Sequence, residues 1–234
     1  MHGAHALSPG VVATGAGFSG TFATSGVRAS VVPPRPNAPP SASDDALKQS
    51  ARSAAMAPSV APWVAARAGV PGDNEVGLAF TGRTMRLDVR HAFESDSWAF
   101  SVGAGGHVVS LTTGSNDPEL LRLRSGYGFD VPALIGWRSD AGIVSLWGGA
   151  RGGMEFLDVE INTGQPTGGV GLPGIDFLHG YVGGVAGLAM GLRHLHVALE
   201  LDVYHHWFSG DYKGSDVKVR GVTITPAGAL IFTF

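Results

Sequence analysis

Large apolar residues recur at every second position over most of the chain, in stretches separated by Gly-, Pro-, Asn- and Asp-rich breaks. A period of two is that of a strand, whose successive side chains point to opposite sides. The last stretch is the clearest. Counting back from the end, Phe234, Phe232, Leu230, Gly228, Pro226, Ile224 and Val222 share one face, and Thr233, Ile231, Ala229, Ala227, Thr225 and Thr223 share the other. Over residues 195–209, Leu195, Val197, Leu199, Leu201, Val203 and Trp207 oppose His196, Glu200, Asp202, Tyr204 and His206. Residues 84–93 set Met85, Leu87, Val89 and Phe93 against Arg86, Asp88 and Arg90.

The same alternation, with less contrast, marks five further segments. Val131, Ala133, Ile135 and Trp137 oppose Asp130 and Arg138. Val144, Leu146, Ala150, Met154 and Phe156 oppose Ser145, Arg151 and Glu155. Trp98, Phe100, Val102, Ala104 and Val108 oppose Ser101 and His107. Val76, Leu78 and Phe80 oppose Glu75 and Thr81; Val60, Val64, Ala66 and Val70 oppose Arg67, with Trp63 on the polar side. Residues 177–192 are strand-like but too Gly-rich for their faces to be assigned, and a first strand is expected over about residues 7–22.

This predicts ten strands. Residues 71–74, 94–97, 139–142 and 192–194 are short connections; about 23–58, 111–126, 161–176 and 210–218 are long ones. Short and long alternate if a tight turn at Gly82–Arg83 closes a hairpin. Reading residues 75–93 as one strand gives nine and breaks the alternation; eight or twelve strands stay open. Within one barrel domain spanning residues 1–234, an insertion at about 24–57 carries five prolines over residues 31–40 and a short amphipathic helical pattern over 43–57. That insertion is expected to cap or plug one end.

Composition then separates two settings for such strands. A soluble barrel turns its apolar faces inward and shows water a Lys- and Glu-rich surface. A transmembrane barrel turns them outward to lipid. Charged residues are 15% of the chain against roughly 25% in soluble domains, and lysine is nearly absent. Glycine is 36 of 234 residues, and small residues suit the interior of a narrow barrel. The polar faces carry isolated charges that nearly balance: Arg67, Arg86, Arg90 and Arg151 against Asp88, Glu155, Glu200 and Asp202. With His196, these form the expected polar network of the lumen. Phe93, Trp98, Trp137 and Phe234 lie on apolar faces beside short turns or the chain end, while Phe156 and Trp207 lie near long loops. Two such sets, at opposite ends of the strands, are expected to be aromatic girdles.

On these residues the chain resembles a small bacterial outer-membrane β-barrel. The ending Gly228-Ala229-Leu230-Ile231-Phe232-Thr233-Phe234 is similar to the C-terminal assembly signal of that class. The resemblance implies an all-β, antiparallel, up-and-down barrel in an outer membrane. It also implies lipid around the barrel and barrel-assembly machinery engaging the last strand, with both termini and the short turns on the periplasmic side. No segment reads as a transmembrane helix or a signal peptide, so export implies a leader removed from this form.

No catalytic motif emerges. Gly15-Ala16-Gly17-Phe18-Ser19-Gly20 matches GxGxxG, but no helix follows it. Gly183, Gly187 and Gly191 fit a tightly packed strand better than a helix-dimer face. His194 with His196, and His2 with His5, form no metal signature. Ten-stranded omptin-like proteases resemble the chain in strand number, yet Asp202 and His206 stand about 13 Å apart along one strand. Outer-membrane lipid hydrolases use His and Ser two apart; His107 with Ser110 and His206 with Ser209 are three apart and face opposite ways. Without cysteine there is neither a disulfide framework nor a thiolate nucleophile. A net charge of −3 gives no footprint for nucleic acid. No cofactor or metal site is expected. The expected function is a non-enzymatic barrel that is structural, surface-binding or a very narrow channel. A rim hydrolase acting on lipid or peptide, and a soluble lipocalin-like binder, are the alternatives. Oligomeric state is left open.

Overall fold

In the computed structural model, the alternating stretches become the staves of one closed antiparallel ring. The structure describes residues 3–24, 26–32, 59–81, 84–110, 121–161, 174–192, 194–212 and 215–234. The strands are β1 (Val12–Ala23), β2 (Arg28–Val32), β3 (Ser59–Val70), β4 (Asn74–Phe80), β5 (Thr84–Ser95), β6 (Trp98–Ser110), β7 (Leu121–Arg138), β8 (Val144–Ile161), β9 (Gly174–Leu192), β10 (Leu195–Tyr212) and β11 (Ser215–Thr233). From β3 to β11 each strand pairs with the next, and β1 pairs with both β3 and β11, which closes the ring. No edge is left along that seam for lipid to leave unpaired.

β2 is the upper part of the first stave. Ala23 faces Thr223 and Arg28 faces Arg220, so five steps of one chain answer three of the other before pairing resumes. The barrel therefore has ten staves. β1 begins at Val12 instead of residue 7, because residues 3–8 turn into the barrel end, where Ala4 is fully buried. The insertion expected at 24–57 starts as β2. Its proline-rich stretch beyond Val32 and its helical pattern lie outside the described residues.

β7 to β11 are 18 or 19 residues long, whereas β3 to β6 have between 7 and 13. The wall is tall on one side, and the extra height stands at the long-loop end. There the alternation changes phase. On β11, Ile224, Leu230 and Phe232 point outward and are exposed, but higher up Val217 and Val219 point inward and are buried while Lys218 and Arg220 face out. Phe208 and Phe177 likewise turn inward, and Asp176 faces out. A single-phase reading stops a strand where its phase reverses, hence the expected starts near 177 and 219 and ends near 156 and 209; on β7 the expected start at Phe129 falls short of Leu121, beyond a register irregularity between Leu123 and Ser125. Below the reversal the outward faces are mainly apolar, with His205 an exposed interruption on β10. From Leu195 to Trp207, β10 runs about 40 Å, or about 30 Å of height at barrel tilt, matching an apolar band of roughly 25 Å.

Candidate functional site

The chemistry of the chain is concentrated in the lumen. Each strand delivers its polar face there because its apolar face is turned out: Leu199, Leu201 and Val203 are about half exposed, while the intervening Glu200 and Asp202 are buried. This inversion rules out the soluble barrel with an apolar interior.

Toward the short-turn end the lumen is crossed by ion pairs. Arg67 donates from Nη1 to Glu75 Oε2 at 3.1 Å and from Nη2 to Asp88 Oδ2 at 2.6 Å. Arg90 Nη2 also donates to Glu75 Oε2, at 2.6 Å. Arg86 grips both oxygens of Asp130 from Nε and Nη2, each at 2.9 Å, and pairs with Asp88 as well. Arg151 stands 3.9 Å from Asp130 and donates to the Tyr204 hydroxyl at 3.3 Å. Such charges are tolerable out of water only when they are paired in this way. Glu75 and Asp130, seen in the sequence only as polar-face residues, are central acceptors of the network. Glu200 accepts from the Trp147 indole at 3.0 Å, and Asp202 from the Tyr204 hydroxyl at 3.4 Å. Trp147 lies flat over Gly187, where a Cβ would come within 2.3 Å of the indole. A cavity of about 240 Å³ remains among Arg67, Arg86, Arg151, Glu200 and Asp202.

The N-terminal segment closes the short-turn end. Arg90 donates to the carbonyls of Gly3 and, at 3.0 Å, His5. Glu94 accepts the Ala6 amide at 2.7 Å, and Glu75 the Leu7 amide at 2.6 Å. Ala4 packs with Ala99, Leu134 and Val185. Gly69 leaves room for the passing backbone, since a Cβ there would sit 2.3 Å from the Ser8 carbonyl oxygen. His5 Nδ1 is 3.5 Å from Glu94, and its Nε2 is buried without a hydrogen bond. Burial, reinforced by the Arg138 guanidinium, holds this imidazole below its ordinary pKa. His196 faces the lumen at this end, lining a cavity of about 510 Å³ with Arg90, Trp147 and the N-terminal residues.

Toward the long loops a second network runs through histidines. His107 Nε2 lies 2.8 Å from Glu155 Oε1, Glu155 Oε2 lies 2.7 Å from His179 Nδ1, and His179 Nε2 lies 2.9 Å from His206 Nδ1. His206 Nε2 ends the chain 2.8 Å from the Thr223 hydroxyl. Phe208 stacks on His179 with ring centres 3.9 Å apart. Glu155 thus serves histidines and not an arginine, and this chain escaped sequence reasoning because its members come from β6, β8, β9, β10 and β11. Both nitrogens of His179 and of His206 are taken up within it. Among the described residues no cluster has the form of a metal site. Asp202 and His206 have separate partners and form no dyad.

The outward aromatics fall at two levels. Phe93, Trp98 and Phe234 are 57%, 55% and 72% exposed at the short-turn end, where Trp98 and Trp137 face each other across β6 and β7. Phe156 stacks on Tyr127 near the long loops, with ring centres 5.2 Å apart, and Trp207 lies over Gly180.

No protein-family model and no curated protein matches the sequence. Solved structures do. The attachment invasion locus protein Ail of Yersinia pestis is 11% identical over 97% of this chain and 99% of its own, with a TM-score of 0.35. The outer membrane protein OprG of Pseudomonas aeruginosa is 12% identical over 98% of both chains, with a TM-score of 0.46. The toluene transporter TodX of Pseudomonas putida is 11% identical over 95% of this chain and 71% of its own, with a TM-score of 0.35. Its own closed ring and inverted faces make this chain a transmembrane β-barrel of the outer-membrane type.

Proposed function

We propose that the protein is a closed, non-conducting barrel of the bacterial outer membrane, without catalytic activity, which anchors a binding surface formed at its long-loop end. One observation carries this reading: the lumen is spanned by the Arg67–Glu75–Arg90 and Arg86–Asp130 ion pairs, and the segment of residues 3–7 is bound into its short-turn end. Ten staves enclose a narrow interior to begin with, whereas porins with an open channel have 16–18. The tall wall of β7–β11 supports the binding role, because it raises a sheet above the apolar belt with charged residues outside. The two outward aromatic sets are taken as girdles marking the membrane interfaces, and the Phe234 end of β11 as the handle for the assembly machinery. Single-channel recording in planar bilayers tests the reading. Wild type should give no stable current, and deletion of residues 1–7 should give brief openings. A reproducible large conductance from wild type would contradict it.

A further inference from the structure

The outer surface holds an unreconciled charge pair at the seam of the barrel. β2 stays on β11 after the bulge, which sets Arg28 directly across from Arg220, and both side chains face outward and are exposed. Like charges directly opposite in a sheet destabilise it. Among the described residues neither guanidinium has an ion-pair partner. Lys218 follows on the same face of β11, half exposed and 3.3 Å from Asp216. Next to Arg220 on its other side is Trp207. Immediately below, Phe22 faces Ile224, and these are 49% and 40% exposed on the apolar belt. The three cations therefore stand where the belt gives way to water, on the long-loop side.

We propose that Arg28, Arg220 and Lys218 form a site for the phosphate of a net-anionic lipid headgroup in the leaflet facing the long loops, with the acyl chains lying along Phe22 and Ile224. A phosphate between the two guanidinium groups turns the repulsion into two charge-assisted contacts, a geometry that suits the planar fork of arginine. The apolar surface that continues directly beneath the cations favours a lipid over a free anion. Among the described side chains at the same end, β8 and β9 instead present acids, the half-buried Asp158 and the exposed Asp176. The proposal rests on the outward belt facing lipid and is independent of whether the lumen conducts.

Native mass spectrometry of the full chain in detergent tests it, with equal amounts of phosphatidylglycerol and phosphatidylcholine of identical acyl chains. Wild type should retain the anionic lipid about tenfold better, and R28Q/R220Q should lose that preference, as expected for contacts worth one or two charge-assisted hydrogen bonds. R138Q, which removes an exposed cation at the opposite end, should keep it. Equal retention by the double variant and wild type would overturn the site. So would displacement of the lipid by millimolar inorganic phosphate, which would make it a free-anion site. If the double variant fails to fold, wild type alone decides. Raising salt from about 50 to about 500 mM should cut the preference several-fold, and a salt-independent preference would overturn the proposal.

Discussion

At the closed end Arg90 joins a buried acid, Glu75, to two carbonyls of the N-terminal segment. Replacing it with leucine should free that segment and leave Glu75 with Arg67 alone, giving bursts of current in planar bilayers from an otherwise folded barrel. Arg67→Ala acts differently, since it strips a partner from both Glu75 and Asp88. Breaking a buried pair from one side costs about 3–5 kcal/mol, which urea unfolding from vesicles should register. His5 adds a pH dependence. Its docked pKa is lowered, so docking is fully stabilised above the ordinary imidazole value of about 6.5 and weakens as pH falls below it. Protonation would place a charge beside Arg138 and an unpaired N–H in the rim. Protease cleavage near the N-terminus should therefore rise as pH falls below about 6.5 in wild type, and His5→Phe should remove the dependence on pH.

At the scale of the elements, the seam between β1 and β11 decides whether a barrel exists. Phe232 and Phe234 face outward on β11 and Thr233 inward, with Phe232 opposite Thr14. Phe232→Asp puts a charge on the lipid face, at up to about 2–4 kcal/mol by depth, and should lower the heat-modifiable folded fraction in outer membranes, as should deletion of Phe234. Thr233→Ser should assemble normally. Inverted results would mean inverted faces. The strands themselves were legible because lipid demands large apolar residues at every second position, as in Leu195 to Val203. Their upper ends were not, since above the belt water takes the place of lipid and Val217 and Val219 carry the alternation in the opposite phase. The first residues were illegible for another reason: Ala6 and Leu7 are held by Glu94 and Glu75, and Ala4 by packing across the barrel, contacts that no local pattern announces.

As a whole molecule, the barrel is apolar outside and charged inside, so the purified chain should require detergent and migrate faster on gels before heating than after. A monodisperse species without detergent would sink the membrane reading. The candidate site was only partly readable from composition. Alternation placed Arg67, Arg86, Asp88, Arg90, Arg151, Glu200 and Asp202 in the lumen, but which acid meets which arginine depends on register across strands far apart in the chain. Arg86 and Asp130 are 44 residues apart, and Trp147 and Glu200 are 53. The absence of cysteine makes the most direct test of the inverted faces clean. Single cysteines placed in turn at positions 197 to 203 of β10, labelled with a fluorophore in vesicles, can be challenged with a lipid-soluble quencher. Strong quenching should come at 197, 199, 201 and 203 and little at 198, 200 and 202. Quenching at the even positions, or at none, would contradict a barrel that turns its apolar faces to lipid.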